Sequence, residues 1–346
     1  MKRWIEFQKA TSDNLIRPDL GFGDWLSLDD VKTPRPLIGT AYFSYTAHLV
    51  AETARILGRA ADAAVFEKLS KEVAEAFRRE FVGADGLMKT RNQTSCVLAL
   101  HFDLLTPEQR EKQIRLLEQL IRNNGNRLST GFVGTASLML ALTNAGLTST
   151  AYDLLLQEEY PSWLFSVNQG ATTVWERWNS YTVKDGFGDV NMNSFNHYSF
   201  GAVGAWMYNY SLGIQRDEAY PGFKQFILKP MPDPTGKMKY ARGYYDSMYG
   251  RIESSWREER GMIHYAFTVP GNTTATLYLP AASLRDVREG EKLIRKCKGI
   301  EYIGEGSGQV VLKLLPGSYS FEVKKEHPMA GKKRKKGEIT RSKGTH

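Results

Sequence analysis

The sequence predicts a multidomain α plus β protein, with helical hairpins first and an antiparallel β-sandwich after them. Up to about residue 215, apolar residues recur at three- and four-residue spacing between loops rich in Gly, Asn and Ser, which indicates amphipathic helices. Beyond Tyr220-Pro221-Gly222 the apolar spacing changes to two, which indicates strands. A chain of 346 residues is long enough for two domains that each bury a core.

The first part of the chain contains six predicted helices. Pairs of helices repeat after about 40 residues, a period typical of stacked or ring-arranged helical hairpins. The clearest start is Thr106, a favourable N-cap that is followed by Pro107 in the first turn, and Asn124-Gly125 ends that helix. The predicted helices cover residues 40–58, 62–83, 106–124, 135–144, 149–159 and 200–212.

Alternation is clearest over residues 262–269, where Ile263, Tyr265, Phe267 and Val269 share one face. Turn signals separate the strands, and several short strands at this spacing predict an antiparallel sandwich of roughly 100 residues. The other predicted strands cover residues 251–256, 274–279, 310–314 and 318–323. We therefore predict a helical domain over residues 1–215, a β-sandwich over 216–324 and a basic tail over 325–346.

The net charge of +8 is concentrated at one end of the chain. Residues 324–346 contain nine Lys and Arg against two Glu, which accounts for +7 and leaves the folded part nearly neutral. The run Lys332–Lys336 lacks interleaved aromatic residues, so we expect a solvated, disordered terminus and no nucleic-acid partner. There is no apolar stretch of membrane-spanning length and no signal-peptide pattern at residues 1–7, so we expect no membrane partner and a cytoplasmic location by default.

Neither a metal nor a cofactor is expected. Cys96 and Cys297 fall in different predicted domains, and two lone cysteines provide neither a disulfide framework nor a zinc-binding spacing. The six histidines are scattered, and the chain lacks Gly-x-Gly-x-x-Gly and P-loop patterns.

The most informative segment is residues 170–178, Gly-Ala-Thr-Thr-Val-Trp-Glu-Arg-Trp, which is followed by Asn196-His197-Tyr198. It places the Glu176 carboxylate between the rings of Trp175 and Trp178. Aromatic faces pack against the C–H groups of sugars, and a carboxylate moves a proton or activates water, so the segment favours a carbohydrate site. The alternative is a helix-capping Glu beside two core tryptophans.

Two further loops contain the same kinds of residue. Residues 21–26 read Gly-Phe-Gly-Asp-Trp-Leu, and residues 184–198 combine Gly, Asp, Asn and aromatic side chains. In a ring of helical hairpins the connecting loops at one end carry function, so these loops are candidates for the same site. For Asp24, a structural role as a loop or helix cap is an equal alternative.

These motifs, together with residues 193–201 (Asn-Ser-Phe-Asn-His-Tyr-Ser-Phe-Gly) and 269–275, resemble the bacterial α-L-rhamnosidases over essentially residues 1–324. The resemblance implies a partial (α/α)6 toroid of helical hairpins followed by a β-sandwich, and inverting hydrolysis of terminal α-L-rhamnose from glycosides or oligosaccharides. It implies Glu176 as the general base and His197 as a sugar contact. The other substrate-binding residues that it implies are Trp175, Trp178, Asn196, Asp24 and Trp25.

The general acid of this family has no counterpart here. Inversion needs two carboxyl groups about 6.5–9.5 Å apart, and the family takes its acid from a segment near Asp-Cys-Pro-Gln-Arg-x-Glu, which this sequence lacks. We therefore expect the C-terminal portion of a rhamnosidase that is nearly inactive alone, with the N-terminal portion as a candidate partner chain. Detectable activity would require a substitute acid such as Asp185 or Asp189.

Three other functions remain open. The chain resembles other six-hairpin glycosidases in architecture, so another sugar or an unsaturated uronide is a possible substrate. A non-catalytic carbohydrate-binding protein would keep the aromatic residues without an acid. An inactive remnant would follow from an open toroid with exposed apolar flanks.

Overall fold

Helices form the first of two compact units into which the chain divides, Met1–Val203 and Gly204–His346. The structure, a computed structural model, describes residues 1–290 and 292–325. The helices are α1 (Lys2–Ala10), α2 (Arg35–Ile56), α3 (Ala60–Phe81), α4 (Gln93–His101), α5 (Pro107–Asn123), α6 (Phe132–Asn144), α7 (Thr148–Leu155), α8 (Trp163–Asn168) and α9 (Val203–Trp206).

The helices of the first unit pack as successive hairpins, α2 with α3, α4 with α5 and α6 with α7. Helices α2, α4 and α6 also contact one another in that order and form an inner layer. Helices α3 and α5 bury one stripe each, as expected for an outer layer. This arrangement confirms the predicted helical-hairpin domain.

The two layers differ in their sequence patterns. The inner helix α4 buries all eight residues from Gln93 to Leu100, so it has no apolar stripe, and the sequence did not predict it. The outer helix α5 buries Gln113, Leu117 and Ile121 on one face, and its predicted bounds were correct within a residue. The short helices α1 and α8 were not identified by periodicity either.

Helix α2 begins five residues before the predicted start. Thr40 was interpreted as the N-cap, but its hydroxyl accepts a hydrogen bond from the backbone N–H of Arg17 at 3.0 Å, within the body of the helix. The N-cap is Pro34, and Pro36 lies in the first turn, where the missing N–H costs nothing. By contrast, Thr106 forms the predicted N-cap and a full capping box with Gln109.

Two sheets form the β-rich unit, which was predicted as a sandwich. The strands are β3 (Ile214–Arg216), β4 (Gln225–Leu228), β5 (Tyr240–Ser247), β6 (Gly250–Glu259), β7 (Met262–Val269), β8 (Thr274–Leu279), β9 (Val287–Glu289), β10 (Lys292–Leu293), β11 (Ile300–Gly306), β12 (Gln309–Leu314) and β13 (Gly317–Lys324); β1 (Tyr181–Thr182) and β2 (Gly186–Phe187) form a small hairpin in the first unit. One sheet has the order β10-β9-β13-β7-β6-β5 and the other β11-β12-β8-β4-β3. All pairings in these sheets are antiparallel over the described residues except β4 with β8, which is parallel.

The core of the second unit lies between the inner faces of the two sheets. Tyr265, Phe267 and Phe321 come from one sheet, and Leu277 and Leu312 come from the other. The buried face of β7 is the one that its alternation predicted. The second unit is therefore a β-sandwich with one parallel pair.

The predicted domain boundary after residue 215 lies inside β3, and the division between the two compact units lies earlier, after Val203. That division falls in a helical segment that continues from a 3-10 turn (Ser199–Ala202) through α9 into a π-helical turn (Met207–Ser211). Of the predicted basic tail, Lys325 is described and donates to the carbonyl of Gly261, whereas residues 326–346 lie outside the described residues. No described helix is long and apolar enough to cross a membrane.

Candidate active site

The loops that precede the inner helices meet at one end of the helical unit. The side chain of Asn92 donates to the carbonyl of Val31 at 2.8 Å, and the N–H of Leu28 donates to the carbonyl of Ser129 at 2.8 Å. These bonds join the loops before α2, α4 and α6. We call this end the loop face, formed by residues 19–34, 90–94, 127–133 and 169–199.

Asp24 fastens the loop of residues 21–26 to the start of α6. Its Oδ1 accepts from the N–H groups of Val133 at 2.8 Å and Gly134 at 3.1 Å. Its Oδ2 accepts from the N–H of Gly131 at 2.8 Å and from the hydroxyl of Thr94 at 2.5 Å. A carboxylate has about four lone-pair sites, so the buried Asp24 has no acceptor left for a sugar. The structural alternative for Asp24 is therefore favoured over a direct substrate contact.

The same anchor positions Trp25. The carbonyl of Trp25 accepts from the N–H of Phe132 at 2.9 Å, while about half of its side chain is exposed. Gly131 is required at this contact, because a Cβ there would lie 2.2 Å from the Trp25 carbonyl oxygen. An exposed indole at the loop face is accessible to a ligand, and the role of Trp25 as a sugar contact stays a prediction.

Glu176 lies in a loop, which excludes the alternative that it caps a helix. Its backbone N–H donates to the carbonyl of Ser194 at 2.9 Å, and its Oε2 accepts from the N–H of Ser194 at 2.8 Å. The side chain is half-buried, and its Oε1 accepts no hydrogen bond from residues 1–290 or 292–325. One carboxylate oxygen is thus fixed while the other is open to a water molecule.

His197 joins the segment around Glu176 to the start of α6. Its backbone N–H donates to the carbonyl of Val174 at 2.9 Å, and its ring stacks on Phe132 with centroids 4.7 Å apart. Tyr198 stacks on the same imidazole at 5.4 Å. The N–H of Ser199 approaches Nδ1 at 3.4 Å, which favours the tautomer with the proton on Nε2. His197 therefore presents an N–H donor for a sugar hydroxyl.

The two tryptophans beside Glu176 are buried. Trp175 is 7% exposed and packs edge-on against Phe195, and Trp178 is 4% exposed and stacks on Phe200 with centroids 3.9 Å apart. A ring that is covered on its faces offers no platform for a pyranose. Their burial favours the alternative in which both tryptophans are core residues that support the Glu176 loop.

Asn196 and the two acidic residues Asp185 and Asp189 are exposed at the surface of this segment. Asn196 is exposed, and its backbone N–H approaches the Ser194 hydroxyl at 3.2 Å. Asp185 is bonded to Thr182 in the turn between β1 and β2, and Asp189 accepts from the N–H of Asn191 at 2.9 Å. Asp185 and Asp189 are thus each held by hydrogen bonds within their own turns.

Asp29, which also lies in the loop face, was not among the residues predicted from the sequence. Its Oδ1 accepts from the hydroxyl of Ser129 at 2.6 Å, and its Oδ2 is buried without a hydrogen-bond partner. Burial raises the pKa of this carboxyl to about 6, with the nearby charge of Asp24 adding to the effect. No sequence pattern marks Asp29, because its raised pKa comes from burial against a loop about 100 residues away in the sequence.

One group of side chains in the described part of the chain lies close enough to share a cation, namely His48, Glu52 and Glu67. Arg55 forms ion pairs with both glutamates, and the Lys71 ammonium lies 3.1 Å from Glu67. The carboxylates of this group thus form a surface ion-pair network with these cations. The cysteines are both free thiols, with Cys96 buried.

Both domains of the chain, the helical-hairpin domain and the β-sandwich, are similar to domains of known proteins. Residues 1–211 match the bacterial α-L-rhamnosidase six-hairpin glycosidase domain, and residues 213–293 match the bacterial α-L-rhamnosidase C-terminal domain. The chain therefore belongs to the bacterial α-L-rhamnosidase family, as the motifs predicted. An α-L-rhamnosidase of Formosa agariphila is 38% identical over 332 residues, which cover 94% of this chain and 35% of the relative.

Solved structures agree with this family. The α-L-rhamnosidase of Streptomyces avermitilis, in complex with L-rhamnose, matches with a TM-score of 0.84 and 36% identity over 93% of this chain and 30% of that one. The α-L-rhamnosidase of Dictyoglumus thermophilum matches with a TM-score of 0.81 and 30% identity over 94% of this chain and 36% of that one. The chain thus spans about a third of the length of these relatives.

Proposed function

We propose that this chain carries the general-base half of an inverting α-L-rhamnosidase site. The observation that carries the proposal is the geometry of Glu176, whose Oε2 is held by the Ser194 N–H while its Oε1 is open. In the proposed reaction Oε1 takes a proton from water as the water attacks the anomeric carbon from the face opposite the leaving group.

His197 is the proposed sugar contact. Stacking on Phe132 and Tyr198 fixes the plane of the imidazole, so the direction of the Nε2–H bond is fixed as well. Trp25 is the proposed aromatic surface for the sugar, because its indole is the exposed one, whereas Trp175 and Trp178 support the loop from within. Asp24 is a positioning residue, because its hydrogen bonds hold the Trp25 loop against the start of α6. It therefore affects the sugar only through the positions of Trp25 and Phe132.

The proposed substrate is a glycoside or oligosaccharide with a terminal α-L-rhamnose. The relative from Streptomyces avermitilis holds L-rhamnose in its structure and is similar to this chain over 93% of its residues. Sugars of this kind combine hydroxyl groups with a C–H face, which suits an exposed indole beside a histidine N–H.

We place the general acid outside residues 1–346. Asp24 has its lone pairs occupied, and Asp185 and Asp189 are bound within their own turns. The pKa of Asp29 is raised to about 6, as in carboxyls that act as acids, but its unbonded oxygen is buried and does not reach a bound sugar. Asp29 is therefore a structural group in the proposed site.

The test compares hydrolysis of 4-nitrophenyl α-L-rhamnopyranoside by two proteins, this chain and the same chain extended by its upstream coding region. The expected result is turnover by the extended protein and a rate at least 10³-fold lower for this chain, roughly the contribution of general acid–base catalysis. Equal turnover by the two proteins would contradict the placement of the acid. In that case Asp29→Asn, Asp185→Asn and Asp189→Asn in this chain would identify the residue.

A further inference from the structure

The outer face of the six-stranded sheet in the β-sandwich contains a groove that runs across the strands. Its floor is a row of small residues that lie opposite one another in register, Ser255 on β6, Ala266 on β7 and Ser320 on β13. Arg242 on β5 continues this row and closes one end of the groove. Because adjacent strands lie about 4.8 Å apart, four strands make a groove roughly 14 Å long.

Larger side chains flank the floor on both sides. The neighbouring row on one side contains Tyr240, Arg257 and His264. On the other side lie Glu253 and Thr268, which are bonded to each other at 2.8 Å. The two rows are four residues apart along each strand, about 13 Å. The groove is open to solvent, and its volume of about 810 Å³ is within the range of ligand sites.

The two arginines of this groove have unpaired guanidinium groups, whereas His264 lies 3.3 Å from the carboxylate of Glu322. Over residues 1–290 and 292–325, the guanidinium groups of Arg242 and Arg257 form no hydrogen bond, ion pair or ring contact. They are diagonal neighbours on β5 and β6, since Arg242 lies opposite Ser255 and Arg257 lies two residues further on. By contrast, Arg251 on the same strand is paired with Asp246 and stacks on Tyr244. Arg251 therefore serves as a paired arginine on the same strand against which the groove arginines can be compared.

We propose that this groove binds a segment of an acidic glycan, a sugar chain that carries carboxylate or sulfate groups. Two guanidinium groups provide forked donors for such anions, and Tyr240 supplies an exposed ring for a sugar face. The hydroxyls of Ser255 and Ser320 on the floor are suited to sugar hydroxyl groups. All residues that line the groove belong to the β-sandwich, and none belongs to the Glu176 loop. The role of the groove rests on the proposed function: it holds the polymer from which the rhamnosidase site removes terminal sugars.

The experiment is calorimetric titration of the full chain at low salt with three tetrasaccharides: tetragalacturonate, a sulfated galactan tetrasaccharide and neutral cellotetraose. Binding of the carboxylated or the sulfated probe at least tenfold more tightly than cellotetraose is expected, and whichever acidic probe binds identifies the anionic group. No binding of either acidic probe up to about 10 mM, or equal binding of cellotetraose, would overturn the proposal.

Three variants locate the binding. Arg242→Gln and Arg257→Gln should each weaken binding of the acidic probe about tenfold, the effect of losing one charge-assisted contact of roughly 1.4 kcal/mol. Ala266→Leu fills the floor without changing any charge and should weaken it as much, which separates a groove from general attraction to a basic surface. The matched control is Arg251→Gln, which removes a paired arginine from the same strand and should change nothing. Unchanged binding in Ala266→Leu would overturn the location.

Discussion

Asp24→Asn is the substitution that tests most sharply how the loop face is held together. The change keeps the size of the side chain and removes its charge. Asn has one acceptor atom, whereas the Asp24 carboxylate uses two oxygens to bind Gly131, Val133, Gly134 and Thr94. With the amide nitrogen in place of Oδ2, the Thr94 hydroxyl turns to accept from it, but the Gly131 N–H loses its partner.

The expected cost follows from these contacts. A buried N–H without a partner costs about 1–3 kcal/mol. The bonds that remain lose their charge assistance, and the start of α6 loses a favourable negative charge worth about 0.3–1 kcal/mol. Together these effects predict a loss of about 3 kcal/mol from the stability of the helical unit.

The assay is urea unfolding followed by circular dichroism at 222 nm, which reports on the helices. Asp30→Asn is the matched control, because Asp30 lies in the same loop face and is exposed; it should change the free energy of unfolding by less than about 0.5 kcal/mol. If Asp24→Asn and Asp30→Asn unfold at the same urea concentration, Asp24 does not anchor the loop as described.

The remaining predictions concern packing and titration. The contribution of Asp29 to stability should fall as the pH rises from about 4 to about 6, because Asp29 keeps its proton in the folded state to about pH 6 and loses it earlier when unfolded. Asp29→Asn should lack this contribution, so the difference in the free energy of unfolding between variant and parent should change by about 1–2 kcal/mol between pH 4 and pH 7. An unchanged difference between the two proteins at the two pH values would contradict it. Burial raises the pKa of Cys96 to about 12. A disulfide reagent such as DTNB should therefore react with Cys297 in the native protein and with Cys96 only after unfolding. Rapid reaction of both thiols in the native protein would refute the buried core around α4. Gly131→Ala should cost about 1–3 kcal/mol in urea unfolding because of its contact with the Trp25 carbonyl, whereas Gly204→Ala, with open space around it, should cost nothing.

Local patterns in the sequence predict the elements that have one buried face. Helix α5 and strand β7 each bury a single stripe, so the spacing of their apolar residues identified both. Helix α4 is buried on all sides and carries no such spacing. The parallel pairing of β4 with β8 depends on how the chain between these strands crosses the sandwich, and no local sequence pattern predicts such a crossover.

For the candidate site, the sequence predicts which segments matter better than it predicts what each side chain does. The motif at residues 170–178 led to the family, which the comparisons confirm. The motif does not distinguish Trp178, a core ring stacked on Phe200, from the exposed Trp25. Likewise, the role of Asp24 depends on its contact with the start of α6, more than 100 residues away in the sequence. Burial and long-range contacts decide these roles.

The central claim is that Glu176 in this chain is the general base, and its removal from the extended protein tests that claim most directly. The measurement is kcat for 4-nitrophenyl α-L-rhamnopyranoside with Glu176→Gln, beside the control Asp185→Asn. Loss of a factor of about 10³ or more in Glu176→Gln, with near-normal turnover in Asp185→Asn, is the predicted result. Turnover by Glu176→Gln within a few-fold of the parent would contradict it.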